Sequence, residues 1–305
     1  MFFDFLTMAC IADEMRGAIL GGRVQQVLLP DKLSVGLEIY NQHQRHYLLA
    51  SAHAERARLL LASGKLRRGV DKETGLLLLL RKYARGAVVS EISQPAFERI
   101  LRLELNHPEW GPSALMVEVM GRHSNVILVD ALGRVHDSAK RVGPHMSSKR
   151  PILPGRPYQP PPPQAKLPPL DLTEYRLQQL LADQEPGAQV WQVLVRGLRG
   201  MSPLLAREIA YRALGRARAT VDQVKRLAPL LAAIRDLLAP LESGRWQPSL
   251  VLRDGRPVVY APYPITHYLE GTLEAAPSMS QAIGTFTAEL TTADAYAAAR
   301  RPVLD

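Results

Sequence analysis

Residues 99–130 read RILRLELNHPEWGPSALMVEVMGRHSNVILVD. Three runs within it, 99–105, 114–120 and 125–130, are dominated by Leu, Ile, Val and Met. Runs of this length and composition, set between turn-forming residues, predict strands. Toward the N-terminus, further strand patterns occupy Val24–Leu29, Leu33–Tyr40, His46–Ala50 and residues 87–93. Pro30-Asp31 supplies a turn between the first two, and Leu132-Gly133 turns the chain into a further strand near Val135. Residues 4–20 place Leu6, Cys10, Ile11, Met15, Ala18 and Ile19 at helical spacing, with Gly21-Gly22 as a stop. A second helix is expected over 71–84, with Asp71 as its N-cap. Many short strands beside two helices predict an α+β fold, a mixed β-sandwich or barrel with helices attached.

The pattern changes near residue 142. Ten of the 24 prolines lie between 141 and 170, four of them consecutive from Pro160 to Pro163. Such a run cannot pair as a strand and reads as a linker or surface strap in extended polyproline geometry. Helical patterns follow at 172–183, 188–196, 203–214 and 220–238. Ser249–Leu252 and Val258–Tyr260 form a hairpin around Asp254-Gly255. A last helix begins near Ser280, capped by Ser278 or Ser280. The expected division is 1–170, a β-rich domain ending in the strap; 171–243, a helical domain; and 244–305, a hairpin and the start of a helix.

The composition is that of a globular chain: 305 residues, 47% hydrophobic and 22% charged. A single cysteine, Cys10, excludes an intrachain disulfide framework and a zinc site built on several thiolates. No run approaches the ~18 apolar residues of a membrane span, and the Met-Phe-Phe-Asp start has no basic region, so a cytoplasmic protein is expected. The net charge is +9, concentrated in residues 121–170 (eight basic, two acidic) and 191–220 (six basic, one acidic). Two basic blocks fit a polyanionic partner, nucleic acid above all; two Arg-rich solvated faces are the plainer reading. No Walker loop, G-x-S-x-G or H-E-x-x-H pattern occurs, and His43 and His46 are the closest histidine pair. No enzymatic activity, metal or cofactor is expected.

Met120-Gly121-Arg122-His123-Ser124-Asn125 joins two strands. Arg122 can fork a phosphate, and His123 and Asn125 can bond base edges; a polar turn satisfying its own backbone is the alternative. Lys140 and Arg141 belong to the same basic block. In residues 196–212, Ser202 and Pro203 open a helix after a glycine-bearing turn. That arrangement resembles a helix-hairpin-helix whose open N-terminus faces a phosphate, flanked by Arg196, Arg199 and Arg207; a packed helical hairpin without ligand is the alternative.

Gly121 to Asp130 resembles the signature of the NFACT N-terminal family, once labelled fibronectin-binding protein A. The resemblance extends over Val24-Gln25-Gln26-Val27 to Leu29-Pro30-Asp31, Leu48 to His53, Leu78 to Lys82, Leu153 to Tyr158 and Ser202 to Ile209. It implies an N-terminal domain like that of the formamidopyrimidine-DNA glycosylases. Their proline nucleophile and four-cysteine finger are missing here. It further implies an adaptor of ribosome quality control. Such a factor binds the large ribosomal subunit obstructed by peptidyl-tRNA and recruits alanyl-tRNA for template-free tailing of the stalled chain. Family members continue into a coiled coil, and this sequence ends at Asp305, where the coiled coil is expected to begin. The family's tRNA-associated acid in the first helix corresponds to Asp4, and its Asp-Arg pair to Glu98-Arg99. Glu98 departs from the pattern by one methylene, and Phe5 stands where glycine is common. The three residues are expected to converge. A fibronectin-binding adhesin and a glycosylase-like DNA-repair protein are the rival readings.

Overall fold

The computed structural model describes residues 2–70, 73–185 and 187–299. It begins with α1 (Phe5–Ile19), capped by Asp4, whose carboxylate accepts the Thr7 N–H at 3.0 Å. The first two turns of α1, Phe5 to Ala12, are buried on all sides, whereas its last turns bury Met15 and Ile19 and leave Arg16 and Gly17 exposed. Next come β1 (Arg23–Asp31), β2 (Ser34–Asn41), β3 (Gln44–Ser51) and β4 (Arg58–Ala62). α2 (Gly75–Tyr83) leads to β5 (Val88–Ser93), β6 (Ile100–His107), β7 (Gly111–Glu118), β8 (Asn125–Asp130) and β9 (Val135–Ser138). Thr74 caps α2; the expected cap, Asp71, lies outside the described residues.

The strands form one nine-stranded antiparallel sheet ordered β4-β3-β2-β1-β5-β6-β7-β8-β9. β1 and β5 share a single registered pair, Arg23 with Val88, and the sheet turns there until β3 comes against β8. The two halves close on one core. Leu37, Ile39 and Leu48 from one side meet Leu101, Leu103, Leu115 and Leu128 from the other, around Met8, Ile11 and Met15 of α1. The barrel-like closure expected from the strand pattern is thus built from one curled sheet. Alternate residues of the second half, Ile100, Ala114, Met116, Ile127 and Val129, form a smaller core on the opposite face.

The proline-rich segment covers that face. Ile152 bonds back to Val142, Pro157 bridges Arg134, and Ile152 and Tyr158 pack on the small core. Its first part is therefore a packed strap and no free linker.

α3 (Glu174–Ala182), α4 (Val190–Gly197), α5 (Pro203–Leu214), α6 (Ala228–Leu238) and α7 (Pro240–Ser243) form the helical part. The helix expected over 220–238 is shorter. Thr220 and Gln223 close a one-turn capping box, and α6 starts afresh around Pro229.

β10 (Ser249–Arg253), β11 (Arg256–Ala261) and β12 (Thr272–Ala275) make a small sheet, and α8 (Met279–Ala299) follows. Asp254 and Gly255 take φ of 51° and 72°, the left-handed pair a tight hairpin needs. Ser278 accepts the Gln281 N–H at 3.0 Å, and Glu14 of α1 accepts the N–H groups of Met279 and Ser280. The segment from 244 is no separate unit. Leu250 and Tyr260 enter the β core, while Val251, Val259 and Ala261 enter the helical core. α1 divides likewise, with Phe5 and Leu6 in the helical core.

Candidate functional site

Three distant segments meet at the start of α1. Asp4 is buried; while one oxygen caps α1, the other accepts the Ser202 hydroxyl at 2.8 Å. The loop between β5 and β6 is tied to the same place by Gln94, whose amide donates to the carbonyls of Phe5 at 2.9 Å and Glu98 at 2.7 Å. Phe97 adopts φ 61°, and its ring meets Phe5 edge-on at 5.4 Å. The turn between α4 and α5 completes the site. Gly200 has φ 72°, and a Cβ there would stand 2.7 Å from the Phe97 carbonyl and 2.8 Å from the Phe5 ring, so only glycine fits.

Charges alternate across this junction. Burial raises the Asp4 pKa, while Thr7, Ser202 and Arg99 oppose the rise. Burial presses the Arg99 guanidinium down, and the carboxylates of Asp4 and Glu98 hold it up. Burial also raises Glu98, opposed by Arg199 and Arg99. Asp4, Arg99, Glu98 and Arg199 therefore form one electrostatic chain drawn from α1, the β5–β6 loop and the α4–α5 turn.

The open helix N-terminus expected at Ser202 is not present. Ser202 accepts the Leu205 N–H at 3.1 Å and bonds Asp4, which fills the end of α5. Arg196 lies exposed in the last turn of α4. Arg207, on α5, stacks over Trp191 at 4.3 Å. The Nε atoms of Arg199 and Arg207 are buried without a hydrogen-bond partner among the described residues.

The 120–125 turn sits beside this junction, since the Val119 N–H donates to the Arg99 carbonyl at 2.9 Å. Arg122 and His123 are exposed and bonded to each other at 3.0 Å. Ser124 and Asn125, expected to contact a ligand, are each 1% exposed. Ser124 accepts the Met120 N–H at 2.7 Å, and Asn125 binds both the N–H and the carbonyl of Lys140. Their side chains are spent on holding the turn. The Lys140 ammonium reaches the Arg122 carbonyl at 3.3 Å, and its pKa is lowered by burial. Arg141 is already forked on buried Asp137, at 2.9 and 3.0 Å.

Among the buried carboxylates that escaped the sequence reading, Glu118 and Glu208 tie distant segments together. Glu118 is held by Arg150 and by the Tyr158 hydroxyl at 2.7 Å, locking the strap to β7. Glu208 receives Arg212, Thr266 and His267, which lower its pKa to about 2 against the opposing effect of burial. Arg212 is one helical turn from Glu208, but Thr266 and His267, like the Arg150 and Tyr158 partners of Glu118, are remote in sequence. Among the described residues, no three His, Cys, Asp or Glu side chains cluster as a metal site would, and no helix is long and apolar enough to cross a membrane.

Comparison with known proteins adds identity to this geometry. The family model for NFACT N-terminal and middle domains matches residues 4–302. The Rqc2 homolog RqcH of Bacillus subtilis is 31% identical over 291 residues, 94% of this chain and 49% of the relative. The Rqc2 homolog RqcH of Streptococcus suis is 34% identical over 229 residues, 73% of this chain and 41% of the relative. The chain thus spans about half or less of the curated relatives it matches. Among solved structures, the N-terminal part of the fibronectin/fibrinogen-binding protein from Streptococcus suis superposes with a TM-score of 0.74 at 28% identity, covering 94% of this chain and 99% of that one. The fibrinogen binding protein from Staphylococcus aureus gives 0.76 at 22% identity over the same shares, a likeness of fold.

Proposed function

The chain belongs to the NFACT N-terminal and middle domain family, and from that membership we propose that it serves cytoplasmic ribosome quality control as an RNA-binding adaptor. It binds the large ribosomal subunit obstructed by peptidyl-tRNA and receives tRNA, alanyl-tRNA in the first instance, for template-free tailing of the stalled chain. It performs no chemistry of its own. The observation that carries this reading is the convergence of Asp4, Glu98, Arg99 and Arg199 beside exposed Arg122 and His123. Two nearby carboxylates favour the charged guanidinium of Arg99 against burial, and its fork suits a phosphate or a ribose hydroxyl.

Sedimentation tests it. The 305-residue chain should travel with large subunits carrying peptidyl-tRNA, and Arg99→Ala should lose tRNA from that complex. Failure to co-sediment with subunits and to bind tRNA would refute the proposal. The similar Streptococcus suis protein is named for fibronectin and fibrinogen binding, which favours that function as a second reading. Capture of the chain by immobilised fibronectin, with no affinity for subunits, would establish that reading instead.

A further inference from the structure

The opposite end of the same sheet carries an aromatic cluster that the site above does not use. Tyr83, the last residue of α2, stacks on His136 of β9 with centroids 4.2 Å apart and planes at 13°. Trp110, in the turn between β6 and β7, meets Tyr83 edge-on at 6.3 Å. The Lys82 ammonium stands 4.2 Å from the Trp110 ring centre and 5.1 Å from that of Tyr83. Trp110 is 43% exposed, and Leu78, one turn before Lys82, is 51% exposed.

Trp110 is held firmly although no core needs it. The Nδ1 of His107 accepts the N–H groups of Glu109 at 3.1 Å and Trp110 at 3.2 Å, which leaves Nε2 to donate to the Arg85 carbonyl at 3.1 Å. Burial lowers the His136 pKa and Lys82 adds to the effect, against Asp130, so the imidazole stacked on Tyr83 is neutral near pH 7. The end of α2 supplies Arg81, Lys82 and Arg85 within five residues. Exposed Trp110, backed by Tyr83 at the edge of the core and set beside Lys82 and Arg85, with Arg81 paired to Glu73, matches what an unpaired nucleotide needs: a π-face for its base and positive charge for its phosphates.

We propose that Trp110 and Tyr83, with Lys82, form a stacking platform for an unpaired nucleotide of the bound RNA. Arg99 immediately precedes β6 and Trp110 follows it, so the eight residues of that strand separate the platform from the Asp4 junction by about 25 Å. One RNA can touch both ends. The inference rests on the RNA-binding reading above.

The test uses the 305-residue chain and three fluorescein-labelled probes: decauridylate, a ten-base-pair RNA duplex, and tRNA. Trp110→Ser should weaken decauridylate binding roughly 5-fold to 100-fold, the range of one lost base stack, and leave the duplex unchanged. Trp110→Phe should restore most of the loss. In parallel, 5-iodouridine placed in decauridylate should cross-link in the unmutated chain to peptides containing Trp110 or Tyr83, a readout independent of how the variants fold. Equal decauridylate affinity in all three proteins, or cross-links confined elsewhere, overturns the platform while tRNA binding keeps the broader reading intact. Absence of binding to every probe overturns both.

Discussion

Asp4 serves two structures with one carboxylate, one oxygen capping α1 and the other taking the Ser202 hydroxyl. Asn keeps an acceptor for the cap, whereas Ala removes it at a cost of about 0.5–2 kcal/mol. Asp4→Asn should therefore melt in urea near the unmutated chain and still lose tRNA affinity, because Arg99 then faces the Glu98 carboxylate alone; Asp4→Ala should lose both. The two buried acids give opposite pH dependences. Asp4 has a raised folded pKa, so the folded state keeps its proton longer, and its contribution to stability falls as pH rises from 3.8 into the raised range. Glu208 falls from 4.5 to about 2, so its contribution is complete above 4.5 and is lost as pH falls toward 2. That shift corresponds to roughly 3 kcal/mol. Glu208→Gln should flatten the acid limb of urea stability between those pH values; an unchanged limb would show that other carboxylates set it. The Asp4 cap is local, three residues from the Thr7 N–H that it accepts. The Glu208 site was not legible, because Thr266 and His267 lie 58 and 59 residues away.

Elements that rest on local chemistry were legible: the Asp254-Gly255 hairpin, the Ser202-Pro203 start of α5, and the strands of β6 to β8. β4 and β12 were not, because each is a short edge strand, and β12 is exposed throughout and carries no alternating pattern. The strap was legible as proline-rich but not as packed, since its anchor, Glu118, lies in β7, 32 residues before Arg150. The α4–α5 turn was legible as glycine-bearing; that Gly200 packs on Phe97 and Phe5 needed the fold. Gly200→Ala places a methyl against the Phe97 carbonyl at a positive φ, a strain of about 1–3 kcal/mol. The strain lies between the α4–α5 turn and the β5–β6 loop. Gly200→Ala should therefore weaken tRNA binding in filter assays while α4 and α5 stay helical by circular dichroism. Arg150→Ala acts on another element. It leaves the Glu118 carboxylate buried with Tyr158 alone, at a cost of about 3–5 kcal/mol. Limited proteolysis should then cut between 150 and 158, where the unmutated chain resists.

At the scale of the whole molecule, the sequence suggested three consecutive segments, whereas the structure has two main cores sharing α1 and the β10–β11 hairpin. Reading along the chain cannot reveal this, because residues 5–6 and 251–265 join the helical core from both ends of the sequence. The charge has a similar history. Its two basic blocks were legible, but several of their cations already have partners: Arg150 and Arg212 pair with buried Glu118 and Glu208, and exposed Arg141 pairs with Asp137. The counts of eight and six basic residues therefore overstate the cations offered to RNA, although the net charge of +9 already subtracts the acids. Arg99, Arg122, Lys140 and Arg199 remain gathered at one end of the sheet, enough for roughly three to five phosphate contacts once their neighbours are included. Each contact releases counterions, so tRNA affinity should fall about 20-fold to several-hundred-fold between 50 and 200 mM salt. Removing one exposed cation should lower the slope of log affinity against log salt by about 1. Arg122→Ala is the suitable change, because its side chain is exposed and bonds only His123. Arg150→Met should leave the slope unchanged, since its guanidinium faces Glu118 and no solvent phosphate. A slope that drops equally in both variants would mean that the sheet end around Arg99 is not where the RNA lies, and an affinity that ignores salt would mean that the binding is not electrostatic.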